Sequence, residues 1–186
     1  MGTIEPPPGP AASNGEAPAA RGGVSPWRLA VLLLAGLAAF LWLRRPSYLP
    51  DLPLPAATAE GAPSGDSPAR VFCGGSKGCL VVYVAPWCGP CRASLPGDVA
   101  LAEHIAPMGY ETVFVVGMDG EKACLDMAKS IGRSARLDTD GRWATAAKVR
   151  GVPHFLVTTP GGKIVKRQAG AYMAPVEQVA QLLGIS

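Results

Sequence analysis

The sequence predicts an α/β fold: a mixed central sheet flanked by helices, preceded by one N-terminal transmembrane helix. Three observations carry this expectation. After residue 70, β-branched runs alternate with helical segments in the order β-α-β-α and then β-β-α, the pattern of a sheet covered on both faces. The first of these strands ends on "WCGPC", two cysteines at a strand-to-helix junction. Near the N-terminus, "WRLAVLLLAGLAAFLWLRR" holds a run from Leu29 to Leu43 without a charge.

Composition divides the 186-residue chain before any element is assigned. Residues 1–26 are dense in Pro, Gly, Ala and Ser and hold too little apolar surface to offset the entropy of ordering, so they read as disordered. Residues 27–43 read as the membrane anchor, a helix about 25 Å long with Trp27 and Trp42 near its ends. Terminal Trp and Arg side chains can cover its shortfall at the interface. A cleaved leader is the competing reading, but Arg44, Arg45 and Pro46 stand where small residues should follow. Residues 46–70 are rich in Pro and Ala and read as a linker, and residues 71–186 as one compact domain.

The formal net charge of +3 is small and its cations are scattered, which argues against a nucleic-acid surface. Arginines flank the apolar run on both sides, so the positive-inside count does not orient it. The five cysteines do, because a thiol-rich small domain suits an oxidising compartment. The expectation is a single-pass protein of a bacterial inner membrane with its folded domain in the periplasm.

Each element of the domain has its own signature. "CLVVYVA" is a buried strand, and "PCRASLPGDVALAEHIAPMG" a helix with Pro90 in its first turn and Pro96 inside, where a kink is expected. "ETVFVVGMD" is a second buried strand, and "GEKACLDMAKSIG" a helix stopped by Gly132. "LDTDGRWATAAKVRG" holds an Asp-Gly turn and a short helix; "PHFLVTTPGGKIVKRQAG" is a hairpin. "APVEQVAQLLGI" closes the chain as an amphipathic helix.

A Cys-x-x-Cys at such a junction has a chemical logic. Cys88 at a helix N-terminus meets unpaired N–H groups and the positive end of the dipole, which favour its thiolate. The thiolate attacks a disulfide to give a mixed disulfide, which Cys91, one turn on, displaces. Trp87 covers one side of the pair, and Gly89 and Pro90 set the opening turn.

"WCGPC" resembles the active-site motif of thioredoxin-like proteins, and "RGVPHF" resembles their Val-Pro loop, whose cis proline faces the cysteines. The resemblance implies a thioredoxin-like fold in which Val152 and Pro153 offer backbone to an extended substrate segment. "CRASLP" and the Asp, turn-Gly, Val-Pro, strand and Gly order are similar to the membrane-anchored TlpA/ResA-like branch. That likeness implies a protein-disulfide reductase without cofactor or metal. Its partners would be a disulfide-containing exported protein, such as an apo-cytochrome c, and a DsbD/CcdA-like transmembrane thiol donor. The sequence departs from the pattern at Ser94, where the branch often has Glu, and at Val82, where thioredoxins carry a buried Asp. Neither usual carboxylate is present to take the Cys91 proton.

The remaining candidates keep two readings each. Cys73 and Cys79 either close a small structural disulfide or stay as buried thiols, and Cys124 could instead pair with Cys73. His154 is either a modulator that titrates beside Cys88 or a strand residue pointing sideways. A four-thiolate zinc site of Cys73, Cys79, Cys88 and Cys91 is the rival function, weakened by the long spacing of its outer pair. A peroxiredoxin would need Pro and Thr or Ser upstream of the reactive cysteine, which "VVYVAPWC" lacks. A thiol oxidase or isomerase of the same fold is the alternative in direction of electron flow.

Overall fold

The structure, a computed structural model, describes residues 25–43, 47–65, 69–71 and 73–186. Residues 1–24 of the expected N-terminal tail, and Arg44, Arg45 and Pro46 after the apolar run, lie outside the described residues. Two compact units divide the chain after Arg45.

The N-terminal unit contains one helix, α1 (Pro26–Leu43), which starts at the proline and exposes Leu29, Leu32, Leu33, Leu34 and Leu37. Among the described residues no helix is long and apolar enough to cross a membrane. Arg28 stands in the first turn of α1, so its uncharged part rises only about 22 Å, against a hydrocarbon core of about 30 Å. The spanning helix expected at 27–43 is therefore found as a helix but falls short of a span by itself.

In the second unit a six-stranded sheet has the order β2-β6-β5-β4-β7-β8. Its centre is β4 (Gly78–Val84), buried at every position, parallel to β5 (Tyr110–Gly117) and antiparallel to β7 (His154–Thr158). Outside these lie β6 (Ala135–Asp138), parallel to β5, and β8 (Ile164–Ala169), antiparallel to β7. One face carries α2 (Gly89–Ile105), α3 (Glu121–Ile131) and α5 (Val176–Leu183), packed on Leu80, Val82, Phe114, Val116, Phe155 and Val157. Alternate residues of the same strands, Val81, Tyr83, Val115 and Leu156, face a second cluster with Trp143 of α4 (Arg142–Ala146). This two-sided burial explains why β4 reads as a continuous apolar run.

The described residues of the segment expected as a linker form short strands instead. Pro53–Leu54 (β1) pairs with Ala69–Arg70 (β3), and Ala56–Ala57 (β2) adds an edge strand to β6. Leu54 and Ala57 are buried, and Tyr48 bridges to Lys163. Two physical facts allow this. An edge strand needs partners on one side only, which tolerates neighbouring prolines. Small alanines can also lie flat against an exposed strand edge, which they cover.

Local signals terminate the elements as anticipated. Pro96 lies inside α2 without ending it, and Gly132, at φ 67°, closes α3 with its N–H on Ala128 and Lys129 carbonyls. Strand β6, four residues long and unassigned in the sequence reading, turns through Asp140 and Gly141 into α4. Gly117 cannot be replaced freely, since a Cβ there would collide with the Tyr83 hydroxyl and Asp138.

Candidate functional site

The two cysteines of the motif stand at the C-terminal end of β4, where α2 begins. Cys88 is the N-cap of α2, with extended backbone (φ −81°, ψ 107°), and Pro90 occupies the first turn. The Cys91 backbone N–H donates to Cys88 Sγ at 3.1 Å, so the sulfur takes the place of a capping oxygen. Cys88 and Cys91 are joined as a disulfide, with Cα atoms 5.3 Å apart. Cys88 is 4% exposed and Cys91 wholly buried, so only the first presents a path to a partner.

Three neighbours shape the mouth. Trp87 is 58% exposed, and its indole Nε1–H donates to the Met118 carbonyl at 3.0 Å. Cys88 Sγ lies 3.5 Å from the Val152 carbonyl oxygen, and the Val152–Pro153 peptide is cis. Arg92, one residue past Cys91, turns back to donate to the Pro86 carbonyl at 2.7 Å. Beside it, Pro86, Leu95, Ala123 and Met127 line a cleft of about 390 Å³ between α2 and α3. The motif with its adjacent Trp87 and the Val152–Pro153 loop, distant in sequence, are thus gathered at one place.

A buried polar knot lies behind this mouth. Asp138 accepts from the Tyr83 hydroxyl at 2.8 Å and from the Trp143 and Ala144 N–H groups at 2.9 Å each. Burial first, and the Asp138 carboxylate second, push the Tyr83 phenol well up, so it stays a donor. Tyr83 and Trp143 stack with ring centroids 6.0 Å apart. The Asp138 carbonyl accepts the N–H of Met118, whose φ of 59° is unusual for a residue with a side chain. Met118 in turn holds Trp87. Sequence reasoning passed over Asp138, although an acid two residues before an Asp-Gly turn and a short helix is placed to accept that helix's free N–H groups.

His154 is 5% exposed and pairs in register with Tyr83, which places it on the α4 side of the sheet. Cys88 and Cys91 belong to the opposite cluster, so His154 faces away from the sulfurs. Neither ring nitrogen makes a hydrogen bond of good geometry. Burial lowers its pKa; the Gly151 backbone opposes this in part, and Arg167 adds to it. The unfolded chain therefore binds the proton more tightly, and the stability this neutral ring contributes is lost as pH falls below about 6.5. Urea titrations of wild type and His154→Leu between pH 7 and pH 5 should show the gap shifting against wild type as the solution acidifies. A constant gap would show that His154 binds its proton equally well in both states.

The other sulfurs are also placed. Cys73 and Cys79 are joined at the start of β4, with Thr158 Oγ1 2.8 Å from Cys73 Sγ. Cys124 is free and buried on α3, its thiol pushed up to about 11 mainly by burial. Among the described residues no group of three or more metal-type ligands is gathered; the two cysteine pairs sit apart, at opposite ends of β4.

Comparison with known proteins agrees with this architecture. No protein-family model matches the chain. The "Probable nucleoredoxin 1" of Arabidopsis thaliana is 32% identical over 88 residues, 45% of this chain but only 15% of the plant protein. Among solved structures, a thiol:disulfide interchange protein assigned as DsbE from Chlorobium tepidum superposes with a TM-score of 0.58 at 20% identity, covering 74% of this chain and 93% of that one. The exposed lipoprotein thioredoxin Etrx1 of Streptococcus pneumoniae gives 0.52 at 23% identity, covering 73% and 98%. StoA of Bacillus subtilis gives 0.51 at 17% identity, covering 71% and 98%. The fold is thioredoxin-like, as the resemblance of "WCGPC" implied.

Proposed function

We propose that this protein is a membrane-associated thiol-disulfide oxidoreductase that reduces disulfides of exported proteins. The carrying observation is the geometry of Cys88: a sulfur at a helix N-cap, bonded to Cys91 and receiving the Cys91 N–H. In the dithiol state Cys88 attacks one sulfur of a substrate disulfide, and the other substrate sulfur leaves as a thiol. Cys91 then displaces Cys88 from the mixed disulfide, which releases the second substrate thiol and leaves the enzyme oxidised. Two electrons pass to the substrate; a dithiol donor must return them. Trp87 and the Val152 backbone form the docking edge for an extended segment.

Substrate and donor follow the TlpA/ResA-like resemblance: an exported protein such as an apo-cytochrome c, and a DsbD/CcdA-like dithiol in the membrane. The leucines that α1 exposes support a membrane location, with the bilayer thinning or flanking side chains reaching out to cover a short helix. The domain would then face the periplasm.

The test is the reduction potential of the Cys88–Cys91 pair. A value near the roughly −270 mV of thioredoxin is expected, and one near the roughly −120 mV of DsbA would reverse the direction of electron flow. The location is checked on the same preparation: the full chain should sediment with membranes, and a chain starting at residue 47 should not. Equal partition of the two would remove the membrane from the proposal.

A further inference from the structure

One buried acid has no part in the steps above. Asp98 is 3% exposed, on the face of α2 that also buries Cys91, Ser94, Leu101 and Ile105. These positions recur at three- and four-residue spacing, so Ser94 and Asp98 form a polar stripe directly beneath Cys91. The Ser94 hydroxyl, 2% exposed, donates to Asp98 Oδ2 at 2.9 Å and lies 3.4 Å from the Cys91 carbonyl. Helical side chains lean toward the N-terminus, so the carboxylate is directed at the cysteine end of the helix.

Among the described residues, the charged side chains of the elements packed against this stripe point outward. On α3, Glu121, Lys122, Asp126 and Lys129 are all exposed, as are Glu177 of α5 and Glu111 of β5. Tyr83, the titratable residue of β4 beside Cys79, belongs to the opposite face. The titratable groups on the inner side are Cys88, Cys91, the Cys124 thiol and the Tyr110 and Tyr172 phenols, and burial raises Cys124 and Tyr172. An acid so placed is the remaining strong acceptor within that cluster.

We propose that Asp98, acting through the Ser94 hydroxyl, is the positioning residue that accepts the Cys91 proton when the mixed disulfide is resolved. This rests on the oxidoreductase reading above. The Cys91 thiol passes its proton to Ser94 as Ser94 passes its own to the Asp98 carboxylate. The Cys91 thiolate attacks Cys88 Sγ, the Cys88–substrate bond breaks, and the substrate thiolate takes a proton from water. Cys88 and Cys91 end as a disulfide, the substrate sulfur is reduced, and Asp98 holds one proton to return to solvent. Burial raises the Asp98 carboxyl to about 6, outweighing the Ser94 hydrogen bond that lowers it. A group with that value is mostly ionised at pH 7 and still basic enough to accept, which suits general-base work. The acid thus stands seven residues along α2 from Cys91, neither at Ser94 nor at Val82.

The experiment uses the full chain in detergent with Asp98→Asn and Ser94→Ala, reducing insulin as a protein disulfide. Wild type should lose rate as pH falls through about 6, where the carboxylate is protonated. Asp98→Asn should lose that inflection, turn over roughly ten- to a hundred-fold more slowly at pH 7, and accumulate the Cys88–insulin mixed disulfide on non-reducing gels. Ser94→Ala should show a smaller fall in the same direction. Near-ultraviolet circular dichroism confirms that each variant is folded, and Asn fills the same volume as Asp. If folded Asp98→Asn keeps the wild-type pH profile and accumulates no mixed disulfide, Asp98 has no such role. If wild type itself reduces no insulin, the oxidoreductase reading fails first and separately.

Discussion

Cys88→Ser should abolish disulfide reduction, by about three orders of magnitude or more, while Cys91→Ser should stop at a stable mixed disulfide. The asymmetry follows from position. Cys88 caps α2, its sulfur receives the Cys91 N–H, and a helix N-terminus favours negative charge there. Helix N-termini lower the pKa of a thiol, so in the dithiol form Cys88 should be the more nucleophilic of the two sulfurs. Cys91 is wholly buried on the inner face, so a substrate disulfide meets Cys88 first. Serine at 88 retains the cap but is not a useful nucleophile at this pH, whereas serine at 91 leaves the first attack intact. In the reduced wild-type chain, iodoacetamide should label Cys88 much faster than Cys91 or Cys124. Trapping of insulin by Cys91→Ser, and none by Cys88→Ser, is the expected gel result. The reverse pattern would exchange the roles of the two sulfurs, and full turnover by Cys88→Ser would remove the pair from the chemistry.

How much of this was readable beforehand depended on the range of the forces involved. The cap, the Pro90 turn and the strand before them are set within a dozen residues, and all lay open in "VVYVAPWCGPC". Gly132, the Pro160–Gly162 turn and the closing helix were equally local. Residues 53–57 were misjudged because they are dominated by Pro and Ala. What holds them is pairing, β1 with β3 and β2 with the edge of β6, and the sequence reading had neither partner strand. The short run Ala135–Asp138 becomes a strand only because β5 lies beside it. Asp98 was legible in principle: Cys91, Ser94, Asp98, Leu101 and Ile105 share one helical face. Attention to two polar residues on an otherwise apolar stripe would have found it. His154 is the opposite case, since adjacency to Pro153 suggested the sulfurs while strand alternation turned the ring to the other face.

Asp138→Ala should be the most damaging single change to stability outside the hydrophobic core. The residue is 1% exposed and its carboxylate serves three donors: the Tyr83 hydroxyl and the Trp143 and Ala144 N–H groups. Alanine leaves all three inside without a partner, and each unsatisfied buried group costs about 1–3 kcal/mol. Water admitted to the space would recover part of that, so a net loss of about 3–5 kcal/mol is expected, measurable as a lower urea midpoint at unchanged slope. Asp138→Asn keeps one carbonyl oxygen and the side-chain volume and should lose less, roughly 1–2 kcal/mol. The backbone of residue 138 still binds Met118 in either variant, so the pose of Trp87 should survive in whatever fraction remains folded. Rates of Cys88 alkylation, measured in reduced and folded protein, should therefore stay close to wild type for Asp138→Asn. A loss for Asp138→Ala below about 0.5 kcal/mol would be the behaviour of an ordinary surface site. The carboxylate would then not be what holds α4 against the sheet.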